Sequence, residues 1–523
     1  MIRNQRLWRG GLDLGRRDLL VGGTALGVAG LVLPRHLRAQ EPKPGGRFRL
    51  GKAHGSTTDT LDPGTFENDF TIGMGYVFNN YLTEVQVDGT IAGELAEEIE
   101  ASPDAATWTF RLRQGVEFHN GKTVTAADVI ASINHHRGEE STSAAKVIVE
   151  PITEIEALDE RTVRFRLASG NADFPFVVSD YHLTIVPSAD GVADWRSGVG
   201  CGPYVIESFE PGVRGFFTKH ANYWKTDRAH FDEVEFLSII DVAARTNALT
   251  TGEIDAMDRV DLKTVHLLQR NPAIKVHSVS GNQHYTFAMR TDTAPFDDNN
   301  VRLALKYALD REAMLQTVLR GFGMVGNDHP IGPANQFHHS DLEQRSYDPD
   351  RARFHLREAG LDSLTVDLSV AEAAFAGAVD AGVVFAEHAA AAGITINVVR
   401  EPNDGYWSNV WMNKPWSAVY WGGRPTEDWM FSTAYASGAA WNDTFWEHER
   451  FNELLAEARA ELDEAERREM YHEMQAIVRD EGGAVIPMFA AYVFATSDQI
   501  GHGEFANNWD MDGHKCVERW WFT

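Results

Sequence analysis

From about residue 41 to its end, the chain shows no internal repeat, no low-complexity stretch and no long linker. This continuity constrains the fold more than any single motif. Some 480 residues are too many for one ordinary core and imply roughly three domain-sized units. Separate domains are usually joined by exposed, polar or Pro/Gly-rich segments. Without such segments, the domains are expected to be built from interleaved pieces of chain. Apolar residues make up 43% of the sequence, enough for real cores.

The local pattern alternates short strands with helices. Arg47–Leu50 and Trp108–Arg113 alternate apolar and polar residues and predict half-exposed strands. Gly115–Phe118 is expected to continue the second of these. Thr125, with Asp128 three residues later, predicts a capped helix start. Glu154–Leu158 and Thr162–Leu167 read as a strand pair, and Glu235–Ile240, Thr365–Ser369 and Ile394–Val399 as further strands. Helices are expected over Tyr76–Leu82, Ala243–Leu249, Asn300–Leu319, Pro349–Ala359, Ala371–Ala392, Phe451–Leu462 and Glu464–Asp480. The resulting class is α/β or mixed α+β.

The N-terminus reads as an export signal over residues 1–39. A basic stretch ending in Arg16-Arg17 precedes a Gly-diluted apolar run, Leu19–Leu33, and a small residue at Ala39. The Arg pair followed by Asp18-Leu19-Leu20 resembles a twin-arginine signal. The run is short for a membrane span, which needs about 20 residues, so a soluble periplasmic protein is expected after cleavage. The first forty residues carry seven of the 48 basic and two of the 76 acidic side chains, leaving a net charge of −33 on the rest. Nucleic acid and anionic lipid would be repelled by such a surface. Only two cysteines occur, Cys201 and Cys516. An oxidising compartment would allow one bridge between them; two unpaired buried thiols are the alternative.

Catalytic signatures are missing. There is no G-x-S-x-G elbow and no H-E-x-x-H helix. The Gly198–Tyr204 turn lacks the form of a dinucleotide loop, and no cofactor is expected. His135-His136 and His338-His339 are adjacent pairs, whose side chains point to different faces and chelate poorly. These absences argue against an enzyme, although a secreted hydrolase on an α/β scaffold remains the alternative from a different class.

Seven of the fourteen tryptophans fall between residues 407 and 446. Gly422-Gly423-Arg424-Pro425 and Asn442-Asp443 interrupt them with loop residues. Trp supplies rigid apolar area with one N–H donor. The window therefore reads either as a local aromatic core or as the wall of a binding site.

The segment Trp108–Ser132, WTFRLRQGVEFHNGKTVTAADVIAS, resembles the signature of the family 5 extracellular solute-binding proteins, the dipeptide- and oligopeptide-binding receptors of ABC importers. Gly200-Cys201-Gly202-Pro203-Tyr204, Asn222-Tyr223-Trp224, Thr251–Ala256, Pro295–Asp298, Val301–Arg311 and Tyr347-Asp348-Pro349 follow in the family's order. The resemblance runs from Leu61 to Pro487. It implies a class II periplasmic binding protein fold: two α/β lobes joined by two crossing strands, an extra subdomain in lobe I, and ligand held in the interlobe cleft. Lobe I would be residues 41–285 plus 489–523, with the subdomain at about 76–195, and lobe II residues 286–488. The crossings would fall near Tyr285–Arg290 and Met488–Tyr492. Both cysteines would then lie in lobe I, which favours their bridge.

By the same resemblance, the protein would be a monomeric receptor that passes a peptide or peptide-like solute to a membrane permease. A metal-chelate or haem receptor on the same fold is a further alternative. In peptide-binding members, the position matching Arg424 often carries an Asp that holds the ligand's α-ammonium. An Arg instead offers a forked donor to a carboxylate, which points to an anionic, opine- or glutathione-like solute. Arg424 contacts ligand or pairs with Asp428, and Asp428 either takes that structural role or supplies the partner for a ligand cation; all fit the spacing. Trp421 is the leading stacking candidate, followed by Trp407, Trp441 and Tyr435. Asn442 is a candidate polar contact, and Glu67–Asp69 a candidate contact from lobe I.

Overall fold

The computed structural model describes residues 42–402 and 406–523, without the side chain of Ser408; the signal expected over residues 1–39 lies outside them. An eleven-stranded sheet organises the chain. Its order runs Tyr204–Glu210, Arg214–Lys219, Glu233–Ser238, Arg47–Lys52, Ala256–Met257, Ala484–Ser497, Ile274–Met289, Trp416–Trp421, Leu364–Val370, Ile394–Arg400, with Gly323–Val325 pairing on Ala484–Ser497.

Two long strands serve both halves of this sheet. Ile274–Ser280 pairs with Ala491–Ser497 at one end, while His284–Met289 pairs with Trp416–Trp421 and with the start of the Ala484 strand at the other. The register breaks between Ser280 and His284, a few residues ahead of the expected crossing at Tyr285–Arg290. Gly281 explains the position. A Cβ there would stand 2.3 Å from the Tyr492 ring, so only glycine lets the two crossing strands approach so closely.

Each half has its own apolar core. Phe48, Phe236, Phe494 and Trp520 belong to one, and Phe287, Leu305, Phe385 and Trp416 to the other. A separate antiparallel sheet, in the order Ala96–Ala101, Thr107–Leu112, Thr162–Leu167, Ile152–Asp159, carries a third core around Phe110, Phe165 and Phe174. Its neighbouring helix, Ala126–Asn134, starts on the expected capping box of Thr125 and Asp128.

Four expectations are corrected. The helix sought over Tyr76–Leu82 lies at Asp69–Phe78, because Asn68 accepts from the Phe70 and Thr71 amides and Asn79 is extended. The stretch 300–319 is two helices, Asn299–Tyr307 and Arg311–Leu319, since Asp310 caps the second. The helix expected from Ala371 begins at Ala378, after a left-handed Gly377. Gly115–Phe118 forms no strand; only Glu117 bridges, to Thr123. No helix among the described residues is long and apolar enough to cross a membrane.

Candidate functional site

A cavity of about 1010 Å³ opens between the N-terminal region and the loops that follow Trp416–Trp421. On the second side, the loop at Gly422–Pro425 leads into helix Glu427–Ala434, which Thr426 caps. Gly423 packs directly on Asn282, where a Cβ would be 2.4 Å from that residue's Cβ. The Arg424 carbonyl accepts from the side-chain amides of Asn282 and Asn335, each at 3.2 Å. These contacts fix the loop and present Arg424 to the cavity.

Three of the seven site residues expected between positions 407 and 442 line this space: Arg424, Asp428 and Trp441. Arg424 Nη1 donates to the Gly422 carbonyl at 3.0 Å. The pairing with Asp428 does not form. Asp428 instead accepts from Arg459 Nε at 3.0 Å and from Ser432 Oγ at 3.3 Å. Burial lowers the Arg424 pKa, while the nearby Tyr181 and Asp180 favour its charged form. Burial raises the Asp428 carboxyl, opposed by Arg459. Among the described residues, no carboxylate lies within ion-pair distance of Arg424.

Four expected residues turn elsewhere. Trp421 is buried, its indole N–H donating to Asp443 Oδ2 at 3.2 Å. Trp411 donates to the same oxygen, also at 3.2 Å. Trp407 packs edge-on against Tyr420 and Trp411, outside the cavity lining. Tyr435 is buried against Phe431. Asn442 is buried and donates to the Trp446 carbonyl at 2.7 Å. The tryptophan window is thus divided: Trp416 and Trp446 are core, Trp411 and Trp421 hang on one carboxylate, and Trp429 and Trp441 face the cavity.

Sequence reasoning missed the opposite wall. Tyr181 and Trp509 meet edge to face at 6.0 Å, and Tyr181 stacks on His182 at 4.1 Å. His182 Nδ1 lies 2.6 Å from Asp180 Oδ1. Burial raises the Tyr181 hydroxyl, and Asp180 adds to this. Nothing local marks these residues; they meet the cavity only through tertiary packing. Trp429 was findable, because it shares a helix face with Ser432 and Thr433, which also line the cavity. Of the expected Glu67–Asp69 stretch, Glu67 lines the cavity, whereas Asp69 pairs with Arg259 at 2.6 Å.

Among the described residues, two carboxylate triads have the spacing of metal ligands, Asp69–Asp258–Asp510 and Glu84–Glu94–Glu518. Protein cations already serve both. Lys225 Nζ sits 2.7, 2.7 and 2.8 Å from Glu84, Glu94 and Glu518. Lys52 stands 2.9 Å from Asp258. In the glutamate triad the Lys225 ammonium takes the position a metal would need, and in the aspartate triad Asp69 pairs with Arg259 at 2.6 Å. The rings of His135 and His136 meet edge to face at 5.0 Å but bond to different partners, His135 to Asp62 and His136 to Ser143, each at 2.7 Å.

The expected bridge between Cys201 and Cys516 is also corrected. Both are free and buried. Cys201 belongs to the core of the four-stranded sheet and Cys516 to that of the main sheet, so distinct clusters separate the thiols.

Comparison with known proteins agrees with this architecture. The chain is 25% identical over 449 residues to the dipeptide-binding protein of Escherichia coli (strain K12), covering 78% of this chain and 82% of that one. It is 27% identical over 314 residues to the glutathione-binding protein GsiB of Salmonella typhi, covering 59% of this chain and 60% of that one. Among solved structures, HbpA2 from Haemophilus parasuis superposes with a TM-score of 0.80 at 19% identity, over 90% of this chain and 99% of that one. The family model described as "Bacterial extracellular solute-binding proteins, family 5 Middle" matches residues 90–443. With that match spanning most of the chain, and the same two-lobed α/β fold around a solute-sized cavity, the protein belongs to the family 5 bacterial extracellular solute-binding proteins.

Proposed function

We propose that this protein is the periplasmic receptor of an ABC importer, taking up a peptide or peptide-like organic anion. The observation that carries the anionic part is Arg424, a guanidinium facing the cavity with no carboxylate partner among the described residues. A ligand carboxylate would complete its hydrogen bonding with a charge-assisted pair. The E. coli relative is named for dipeptides and the Salmonella relative for glutathione, and both solutes carry carboxylates.

In this reading lobe I comprises residues 41–285 plus 489–523, with an inserted subdomain at about 76–195, and lobe II residues 286–488. Solute entering the open cleft bridges the lobes and shifts the population towards the closed form, which requires contacts made only there. Micromolar affinity corresponds to about 8 kcal/mol. The closed monomer then docks on the permease and releases its solute. The protein performs no catalysis of its own, and it reaches the periplasm by the twin-arginine route.

Native mass spectrometry of protein purified without denaturation tests the proposal. An unmodified organic anion bound one per chain, displaced by dialysis and rebound with micromolar affinity, is expected. A haem, a metal chelate or a hydrolysed product in its place would overturn it.

A further inference from the structure

We infer that the cavity is shaped for an amphipathic anion without a free amino group: a carboxylate at the Arg424 end and a bulky apolar body held between Val147–Ile148 on one wall and Trp429–Trp441 on the other. This deepens the receptor reading and rests on it.

The apolar walls are the first support. Val147 is 74% exposed, the highest value among the exposed large hydrophobic side chains, and Trp441 is 50% exposed. Single exposed apolar residues are common and need no explanation. These two line the same cavity from opposite sides. Val147 sits on the four-residue helix Lys146–Val149, which Val149 anchors in the core. Trp429 sits on a helix anchored by Met430 and Phe431. In both cases the buried neighbour fixes the element and turns a large apolar side chain towards the space where ligand would lie.

The charge pattern is the second support. The cavity's acids are largely engaged by protein cations. Asp173 pairs with Arg467 at 2.7 Å, Asp428 with Arg459 at 3.0 Å, and Glu84 with Lys225 and Arg519 at 2.7 and 2.8 Å. Asp180 contacts His182 at 2.6 Å. Glu67 is exposed, where water and salt screen it. Among the described residues lining the cavity, Arg424 is the cation without a carboxylate within ion-pair distance. A ligand ammonium would have to share Asp173, Asp428 or Glu84 with the protein cation already paired there, or share Asp180 with the His182 ring, whereas a carboxylate finds Arg424 with the Tyr181 hydroxyl on the facing wall.

Titration calorimetry on the full mature chain, cleared of co-purified solute, tests this with N-acetyl-, N-hexanoyl- and N-decanoylglycine as probes. Affinity is expected to rise about fourfold per added methylene until the space is filled. Arg424→Gln should weaken every probe by the same factor, tenfold or more. Trp429→Ala, and independently Val147→Ala, should flatten the chain-length dependence, weakening N-decanoylglycine by a larger factor than N-acetylglycine. No chain-length dependence in the unmodified protein, or tighter binding of 6-aminohexanoylglycine than of N-hexanoylglycine, would overturn the inference. If the probes fail while mass spectrometry still finds another bound solute, this inference falls and the receptor reading stands. If neither probe nor solute binds, both fall.

Discussion

Asp173 Oδ1 and Arg467 Nη2 stand 2.7 Å apart at the edge of the cavity, with each side chain less than a tenth exposed. Asp173 precedes the short helix Phe174–Val177, beside the four-stranded sheet, and Arg467 lies on the long helix Glu464–Glu481. The Ala172 amide donates to the Arg459 carbonyl at 2.7 Å beside them. This is a direct clasp between elements that flank the cavity from opposite sides.

Asp173→Asn should loosen that clasp. Arg467 keeps its bonds to the Ala458 carbonyl and the Tyr471 hydroxyl, so its own helix stays ordered. Breaking a buried pair costs about 3–5 kcal/mol at most. Solute affinity should fall at least tenfold, and small-angle scattering should show a more extended ligand-bound particle. A lower melting temperature with unchanged affinity and scattering would make the pair a static brace.

Arg424→Gln removes the charge but keeps a donor. Affinity for an anionic solute should drop by about 1.5–3 kcal/mol, the range for a hydrogen bond to a charged group. The loss should shrink as the solute's carboxylate is amidated, which calorimetry on both forms would show. Equal losses for both forms would mean that Arg424 only shapes its loop.

Stability should fall as pH rises through the Glu427 titration. Burial pushes this carboxyl up to about 7, opposed by the Phe337 amide that donates to it at 2.6 Å. Unfolded, it loses its proton near the ordinary value of about 4.3. Between those limits the unfolded state binds fewer protons, so its contribution is full below about 4.3 and lost as pH approaches 7. Glu427→Gln keeps an acceptor for the amide and should flatten that part of the curve, by up to ~3 kcal/mol. Chemical denaturation of both proteins at pH 4.5, 6 and 7.5 checks the difference.

Both cysteines should be unreactive in the folded protein, because burial pushes each thiol up to about 12. A maleimide should label neither natively and both after denaturation, without reductant, as read by intact mass. Labelling that requires a reductant would restore the Cys201–Cys516 bridge.

Much of the fold was legible along the chain. The Thr125–Asp128 box, the strand pair at residues 152–167 and the helix from Pro349 all lie where their local signals put them. The site was only half legible. Arg424 and Asp428 were visible as unusual charges in an aromatic loop, yet their mutual pairing was a sound guess from spacing that the structure rejects, because Arg459 reaches Asp428 from another helix. Trp421 read as a stacking surface, but Asp443 draws its indole N–H inward. Trp429 and Trp441, chemically identical to Trp421, face the cavity because their neighbours are anchored differently.

The sequence alone determined the family, the order of strands and helices, and the kind of chemistry present: aromatic area and one loop arginine. Those properties live in residue type and in contacts within a few positions, where caps and periodicity act. Tertiary structure decided which side chains see the cavity. Asp173 meets Arg467, Lys225 meets Glu518 and Gly281 meets Tyr492 only after long loops close. Such partners are selected by the packing of whole elements, and no local pattern records which face of an element the rest of the chain will leave open.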